Sequence, residues 1–117
     1  MAKPHGLPKS ALLRTEKEIS AVFSKGQYHA LGLMQAKTLP SSSGMTRFMV
    51  SVGRRIGHAP RRNQIRRLVK EVMRRHRQRL EVPHDICFFL TRSPEALSYD
   101  KVEQDVLALF RRLAAKA

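Results

Sequence analysis

A dense run of basic residues is the feature of this sequence best suited to do chemistry. Between positions 54 and 79 the chain carries ten arginines and one lysine, and Glu71 is the only acid among them. These residues are Arg54, Arg55, Arg61, Arg62, Arg66, Arg67, Lys70, Arg74, Arg75, Arg77 and Arg79. The planar guanidinium of arginine binds phosphate through two parallel hydrogen bonds and stacks on bases. The pattern therefore favours binding of a phosphate-bearing polyanion.

The composition of the whole chain points the same way. The 117 residues include 23 lysines and arginines against nine aspartates and glutamates, a formal net charge of +14. Such an excess favours association with nucleic acid or with an anionic membrane surface. The apolar fraction of 42% is too high for a disordered basic tail. We expect a single domain over residues 1–117, with residues 1–11 a flexible N-terminal segment.

Membrane insertion and secretion are not supported by the sequence. No apolar run approaches the roughly 18 residues that a membrane-spanning helix needs. The N-terminus MAKPHGLPKS has basic residues, but the apolar stretch of a secretory signal does not follow it. We therefore expect a cytoplasmic protein.

Side chains suited to catalysis do not form a recognisable set. The five histidines (His5, His29, His58, His76 and His84) are scattered, and the acids show no pairing of the kind that two-metal phosphodiester cleavage needs. The single cysteine, Cys87, is expected to be a buried structural thiol. We predict no catalytic residue in the protein and no small-molecule substrate.

The first half of the chain predicts one helix and two strands. Thr15 and Glu18 match a capping box, so a helix is expected from Thr15 to Lys25, with Gly26 as its stop. Strands are expected over Tyr28 to Ala36 and Thr46 to Val52, and the Pro/Ser/Gly loop between them suits a hairpin. A further short strand is considered around Val52 to Ile56.

A long helix is predicted from Pro60 onward. The apolar residues Ile65, Leu68, Val69, Val72 and Met73 recur at helical spacing, and His76 and Leu80 extend the same side. At about 100° per residue, Asn63, Arg67, Lys70 and Arg74 fall on the opposite side. A charged helix face is usually only solvated, but acids are nearly absent here, which favours an anionic ligand along this face.

The last two elements complete an α+β fold. Asp85 to Thr91 is apolar on both faces, which indicates a central strand covered on both sides. Ser98 caps a final helix with the apolar stripe of Tyr99, Val102, Val106, Leu109, Phe110 and Leu113. The sequence thus predicts three helices packed on a small sheet.

The segment SVGRRIGHAPRRNQIRRLVKEVMRRHR, which begins at Ser51, resembles the signature of the bacterial ribonuclease P protein family. The family pattern is Ser-Val-Ser-Lys-Lys, a turn with glycine, and then Arg-Asn-Arg-x-Lys-Arg-x-x-Arg-Glu on a helix. The residues in register are Ser51, Val52, Arg54, Arg55, Gly57, Arg62, Asn63, Arg66, Arg67, Lys70 and Glu71. Flanking similarities are Leu12, Arg14, Val22, Phe23, Gly26, Asp85, Ile86, Leu97, Ser98 and Tyr99.

The chain departs from the family pattern at several positions. Gln64 stands for the second arginine of the Arg-Asn-Arg tripeptide, and Gly53 stands for a serine. Arg66 replaces a lysine and Lys70 an arginine, so charge is kept at both. Ile19 replaces a usual phenylalanine, and no aromatic residue occurs from 31 to 37, where the family strand carries one.

The resemblance implies an α-β-β-β-α-β-α order with a small mixed β-sheet and a left-handed crossover through the basic helix, against the usual right-handed rule. It further implies a protein subunit of ribonuclease P, an endonuclease that removes the 5′ leader of precursor tRNA with its active site in the catalytic RNA. The implied partners are that RNA and precursor tRNA, and the implied cofactor is Mg²⁺, mainly bound to RNA.

The resemblance also implies site residues. The basic helix and the preceding loop would bind the catalytic RNA through Arg54, Arg55, Arg61, Arg62, Asn63, Arg66, Arg67, Lys70 and Arg74. A cleft for the single-stranded leader would be lined by Ile19, Phe23, Tyr28, Phe48 and Phe89. Asn63 could lie beside hydrated magnesium.

Purely structural roles for some of these residues, and other functions for the protein, stay open from the sequence alone. Phe48 and Phe89 suit ordinary core packing, and Asn63 suits the first turn of any helix. A ribosomal or other non-catalytic RNA-binding protein would share the size, charge and fold class. A protein-only nuclease and a sequence-specific DNA reader with its arginine-rich helix in the major groove are further alternatives.

Overall fold

The first helix is defined by its two ends. In the computed structural model, which describes residues 7–115, helix α1 spans Glu16–Lys25. The Glu18 amide donates to Thr15 Oγ1 at 3.2 Å, and the Thr15 hydroxyl donates to the Glu18 carboxylate at 2.8 Å. Gly26 ends the helix as predicted, because its amide donates to the Val22 carbonyl at 2.8 Å. A Cβ at Gly26 would overlap that oxygen and lie 2.9 Å from the Thr38 carbonyl, so only glycine fits there.

Four strands form one mixed sheet. They are β1 (Gln27–Ala30), β2 (Gln35–Pro40), β3 (Arg47–Val52) and β4 (His84–Leu90), in the order β1-β2-β4-β3. The β1/β2 and β2/β4 pairs are antiparallel, and β3 and β4 are parallel. Six of the seven residues of β4 are buried, which confirms the predicted central strand.

Helices α2 (Ala59–His76) and α3 (Tyr99–Ala115) cover one face of this sheet. Their buried stripes meet Phe48, Ile86 and Phe88 of the strands in the main core. On the opposite face Val22 of α1 packs with Leu13 and Cys87 in a second, smaller cluster. The α+β class and the α-β-β-β-α-β-α order are therefore confirmed.

The predicted strand from Tyr28 to Ala36 is wrong as a single element. The chain turns between Ala30 and Gln35, so the segment divides into β1 and the start of β2. The turn is held by the Asp105 carboxylate of α3, which accepts the amides of Gly32, Leu33 and Met34 at 2.9, 2.8 and 2.9 Å. This partner lies more than 70 residues away in sequence, where no local pattern reveals it.

The expected hairpin around the Pro/Ser/Gly loop is also wrong. β4 lies between β2 and β3, so the two strands that flank the loop never pair. The short strand considered around Val52 to Ile56 is instead a 3-10 turn over Arg54–Ile56, closed by Gly57 at φ +146°. β3 and β4 are parallel neighbours joined through α2; the left hand of this crossover stays an expectation from the resemblance.

The chain is already packed before α1. A 3-10 turn spans Lys9–Ala11, Ala11 is fully buried, and the Leu13 amide donates to the Phe48 carbonyl at 2.9 Å. Of the predicted flexible segment, residues 1–6 lie outside the described residues, whereas Leu7 packs against the main core. Among residues 7–115 no helix has the length and apolar character needed to cross a bilayer.

Candidate nucleic-acid interface

The basic residues of α2 lie on the side of the helix that faces away from the core. Ile65, Val69 and Val72 are buried against the sheet, whereas Arg67 and Lys70 are exposed. The predicted opposition of apolar and basic faces is therefore confirmed. We call the outward side of α2, together with the preceding turn, the basic face; its members are Arg54, Arg55, Arg61, Arg62, Asn63, Arg66, Arg67, Lys70 and Arg74.

Most of the charge on the basic face is uncompensated. Within residues 7–115, no hydrogen bond or ion pair links a carboxylate to the side chains of Arg54, Arg55, Arg62, Arg67 and Lys70. Glu71 pairs with Arg74, whose Nε lies 3.0 Å from Oε2, and with Arg75 at 3.1 Å. The hydrogen bond from Arg74 lowers the pKa of Glu71. Because the ion pairs of Glu71 are with Arg74 and Arg75, this acid neutralises only the end of the basic face.

Two arginines of the basic face already donate hydrogen bonds to other groups of the protein. The Arg61 guanidinium donates to the Pro94 carbonyl at 2.9 Å, which ties the β4–α3 loop to the start of α2. The Arg66 guanidinium donates to Asn63 Oδ1 at 3.1 Å. The amide nitrogen of Asn63 is thus the part of that side chain left to face a ligand, and it can only donate.

The surroundings of Asn63 do not suit a directly bound magnesium ion. Its oxygen already accepts from Arg66, and the neighbouring side chains are the cations Arg62 and Arg67. Mg²⁺ prefers anionic and neutral oxygen ligands. Within the described ranges, no three His, Cys, Asp or Glu residues lie together as metal ligands. The residues present therefore fit phosphate oxygens better than a protein-bound cation.

The N-terminal end of α2 strengthens the positive potential. His58 precedes the helix without a side-chain cap, Pro60 lies in the first turn, and that turn has no acid. The first amides of a helix lack intrahelical acceptors and form the positive end of its dipole. This end lies directly after the turn that carries Arg54 and Arg55.

A separate aromatic cluster lies on the α1 side of the sheet. The Phe23 and Phe89 ring centroids are 5.8 Å apart, and those of Tyr28 and Phe89 are 6.3 Å apart. Tyr28 is 53% exposed, so one side of the cluster faces solvent. Ile19 is half-buried beside Phe23 in the same small core.

Phe48 does not belong to this cluster, which corrects the predicted cleft lining. Its side chain is fully buried in the main core, with its ring 6.5 Å from that of Phe88. β-strand side chains alternate between faces, and Phe48 points to the α2 and α3 side. It therefore cannot stack on a base in this structure, and the core-packing interpretation of Phe48 is confirmed.

Two polar residues beside the aromatic cluster, Lys37 and Gln35, were missed by sequence reasoning. The Lys37 ammonium, opposite Tyr28 in the ladder, donates to the Phe23 carbonyl at 2.6 Å. Gln35 lies opposite Phe89, and its Oε1 is buried without a hydrogen-bond partner among the described residues. The signal that places Gln35 and Lys37 is the alternation of side chains between the two faces of β2. It could not be used, because the predicted strand ended at residue 36, near the start of β2.

Cys87 is the inert thiol that the sequence predicted. Its side chain is fully buried, and burial raises the pKa of Cys87 to about 12. Because the thiolate is the nucleophilic form, this residue offers no reactive group near the cluster.

Comparison with known proteins finds similarity to ribonuclease P proteins over nearly the whole chain. The sequence model of the family described as Ribonuclease P matches residues 7–114. The chain is 32% identical over 114 residues to a ribonuclease P protein component of Desulfovibrio desulfuricans, covering 92% of this chain and 86% of that protein. It is 33% identical over 113 residues to that of Nitrosomonas eutropha, covering 94% and 93%.

Solved structures show the same fold. The Staphylococcus aureus RNase P protein superposes with a TM-score of 0.76 at 17% identity, covering 89% of this chain and 95% of that one. The Thermotoga maritima RNase P protein gives a TM-score of 0.74 at 21% identity, covering 86% and 94%. At these identities the likeness concerns the fold alone.

Proposed function

The chain belongs to the ribonuclease P protein family, and we propose that it binds the catalytic RNA of ribonuclease P and the 5′ leader of precursor tRNA. In this role it assists the metal-dependent endonucleolytic cut that removes the leader. The observation that carries the proposal is the row of exposed, uncompensated cations on the basic face of α2. The proposal keeps Mg²⁺ on the RNA, because the surroundings of Asn63 are cationic.

The basic face suits an RNA backbone. Arg54 and Arg55 in the turn, then Arg62, Arg67 and Lys70 along α2, present cations without acid partners. Each phosphate that they neutralise releases condensed counterions, which drives binding and makes it dependent on salt. Arg66 would hold Asn63 in place, so that its amide could donate to a phosphate oxygen beside the guanidinium.

The aromatic cluster suits the single-stranded leader. Bases stack on aromatic rings with little sequence preference, and the half-exposed ring of Tyr28 is available for this, with Phe23 and Phe89 behind it. Ser51 of β3 lies opposite Phe89, and Arg54 follows three residues later, about 10 Å at the rise of an extended chain. The two surfaces are therefore close enough for the protein to hold the leader beside the catalytic RNA.

The chemistry of cleavage is assigned to the RNA. The structure shows no metal-ligand cluster in residues 7–115, and the one thiol is buried with a raised pKa. The contribution of the protein is then electrostatic and positional: it offsets repulsion between two RNAs and holds the leader.

Reconstitution tests the proposal. The purified protein, added to bacterial ribonuclease P RNA at low magnesium, is expected to increase cleavage of a precursor tRNA that carries a leader. No increase would overturn the proposal, and binding to ribosomal RNA instead would favour a ribosomal role. Cleavage by the protein after complete removal of RNA would contradict the assignment of catalysis to RNA.

A further inference from the structure

One flank of α2 carries an open groove with an apolar floor. The groove has a volume of about 570 Å³, and its floor is formed by Leu7 and Leu68. Arg67, Lys70 and Arg74 line one side. The volume is within the range of roughly 300 to 1,000 Å³ typical of small-ligand sites, so the groove can hold a flat ring system.

The groove follows the boundary between the core and the basic face. Gln64, Leu68 and Glu71 are spaced four and three residues apart, so they form one line along the helix. This line lies between the buried stripe of Ile65 and Val72 and the exposed cations. Leu68 and Leu7, the latter from the N-terminal segment, are both half-buried against the main core and form the floor of the groove.

The charges around the groove restrict what can occupy it. Arg67 and Lys70 have no acid partner in the described part of the chain, and the one acid in the lining, Glu71, already holds Arg74 and Arg75. A second copy of a protein with net charge +14 would be repelled. A phosphate alone would use the cations but would gain nothing from the apolar floor.

We propose that this groove binds one unstacked nucleobase of the partner RNA. The base lies on Leu68 and Leu7, and the phosphates beside it lie on Arg67 and Lys70. This assignment rests on the proposed RNA-binding function and deepens it: the RNA presents a looped-out base at α2, not only the backbone of a continuous helix.

Gln64 adds a polar contact at the groove. Its side chain is exposed and lines the groove, and an amide offers both a donor and an acceptor to the edge of a base. In the family pattern this position is an arginine. Glutamine carries no charge and, unlike arginine, can accept as well as donate a hydrogen bond at a base edge.

The test compares apolar and charged contacts on the same RNA. Leu68→Ser and Leu7→Ser are each expected to weaken binding of bacterial ribonuclease P RNA about tenfold, because each removes apolar surface that the base would cover, with an unchanged dependence on salt. Val82→Ser is the control: Val82 is an exposed apolar residue (40%) that lies beyond the end of α2, and its replacement should leave the affinity unchanged. Circular dichroism and thermal melting confirm that each variant is folded.

Chemical probing of the bases locates the contact. At saturating protein, one base protected by the wild-type protein is expected to become reactive with both Leu7→Ser and Leu68→Ser but not with Val82→Ser. If both groove variants bind like the wild type and leave every base protected, the inference is overturned while the proposed function stands. If the wild type itself neither binds the RNA nor stimulates cleavage, the proposed function fails.

Sedimentation distinguishes a protein occupant. A dimer of the wild-type protein that Leu68→Ser dissociates would assign the groove to a second copy and overturn the nucleobase proposal. A monomer at the concentrations of the binding assay supports it.

Discussion

Arg67 and Lys70 project from α2 and form no ion pair with a carboxylate within the described residues. Replacing either one by alanine is expected to reduce the slope of log K against log salt by about one unit, the contribution of one phosphate contact. The fold should be unaffected, because an exposed charge surrounded by like charges contributes little to stability. Binding of the catalytic RNA measured over a salt series tests this.

The matched control is Arg111→Ala. Arg111 is an exposed arginine on α3, on an element that contributes nothing to the basic face. Its loss should leave the slope as it is. Equal slopes for the wild type, Arg67→Ala and Lys70→Ala would remove both residues from the interface.

Tyr28 is the cluster residue with the clearest access to a ligand. The residue is 53% exposed, so Tyr28→Ala should leave the fold intact while it removes a stacking surface worth about 1 to 3 kcal/mol. The holoenzyme should then bind a long-leader precursor more weakly, with almost no change for a precursor that has a single leader nucleotide. Equal losses for the two substrates would show that Tyr28 does not contact the leader.

At the scale of elements, the turn between β1 and β2 depends on α3. The Asp105 carboxylate accepts three amides of that turn, and a neutral amide in its place has only one oxygen. Asp105→Asn is expected to lower the free energy of unfolding by about 1 to 3 kcal/mol, as measured by urea denaturation. Asp100→Asn, at an exposed position in the first turn of the same helix, should change it much less; similar values for both would contradict the proposed restraint.

The attachment of α1 to the sheet should weaken in acid. The Thr15 hydroxyl, and then Arg47, hold the pKa of Glu18 below its ordinary value of 4.5, and Arg47 also binds Asp85 with a 2.7 Å contact. A carboxylate with a lowered folded pKa stabilises the fold above its unfolded pKa, and this contribution is lost as the pH falls through the folded pKa. Because Glu18 is about one-third exposed, solvent screening limits the effect to no more than about 1 kcal/mol.

Melting temperatures from neutral to acid pH test this expectation. Glu18→Gln should melt at a lower temperature than the wild type at neutral pH, and its melting temperature should fall less steeply in acid. Parallel curves for the two proteins would show that Glu18 is not the titrating group.

Local signals were sufficient for the helices and for the central strand β4, but not for the β1–β2 turn or the pairing of the strands. The cap at Thr15 and the spacing of Ile65 and Val69 predicted α1 and α2, and helical rotation alone placed the basic face. The β1–β2 turn was missed because it is fixed by Asp105, and the assignment of Phe48 to the cleft failed because the face of a strand is set by the helices that cover it. The aromatic cluster was therefore only partly predictable.

At the scale of the whole molecule, the distribution of charge matters more than its total. Five of the nine acids accept hydrogen bonds from other protein groups; these are Glu18, Glu71, Asp85, Glu103 and Asp105. These five acids therefore hold other protein groups in place, and the surplus of cations is left at the surface. If about six phosphates are neutralised, log K should fall against log salt with a slope of roughly −4 to −5.

The positive potential of these surface cations should also make the proposed contribution of the protein to cleavage depend on ionic strength. Stimulation of the catalytic RNA is expected to be largest at low salt and low magnesium, where repulsion between RNAs is least screened. A titration of sodium chloride and magnesium in the cleavage assay measures this. Stimulation that is constant across the titration would contradict an electrostatic role.

The position of β4 in the middle of the sheet has a consequence for synthesis of the protein. β2 and β3 leave the ribosome well before β4, yet each pairs with β4 and not with the other. Until β4 emerges, both strands present open edges, which are prone to aggregation. The arginine-rich helix is made in this interval, so the nascent chain carries its most basic segment while the sheet is still incomplete. Chains truncated before residue 84 should therefore be far less soluble than the full protein, which a comparison of soluble yields would measure.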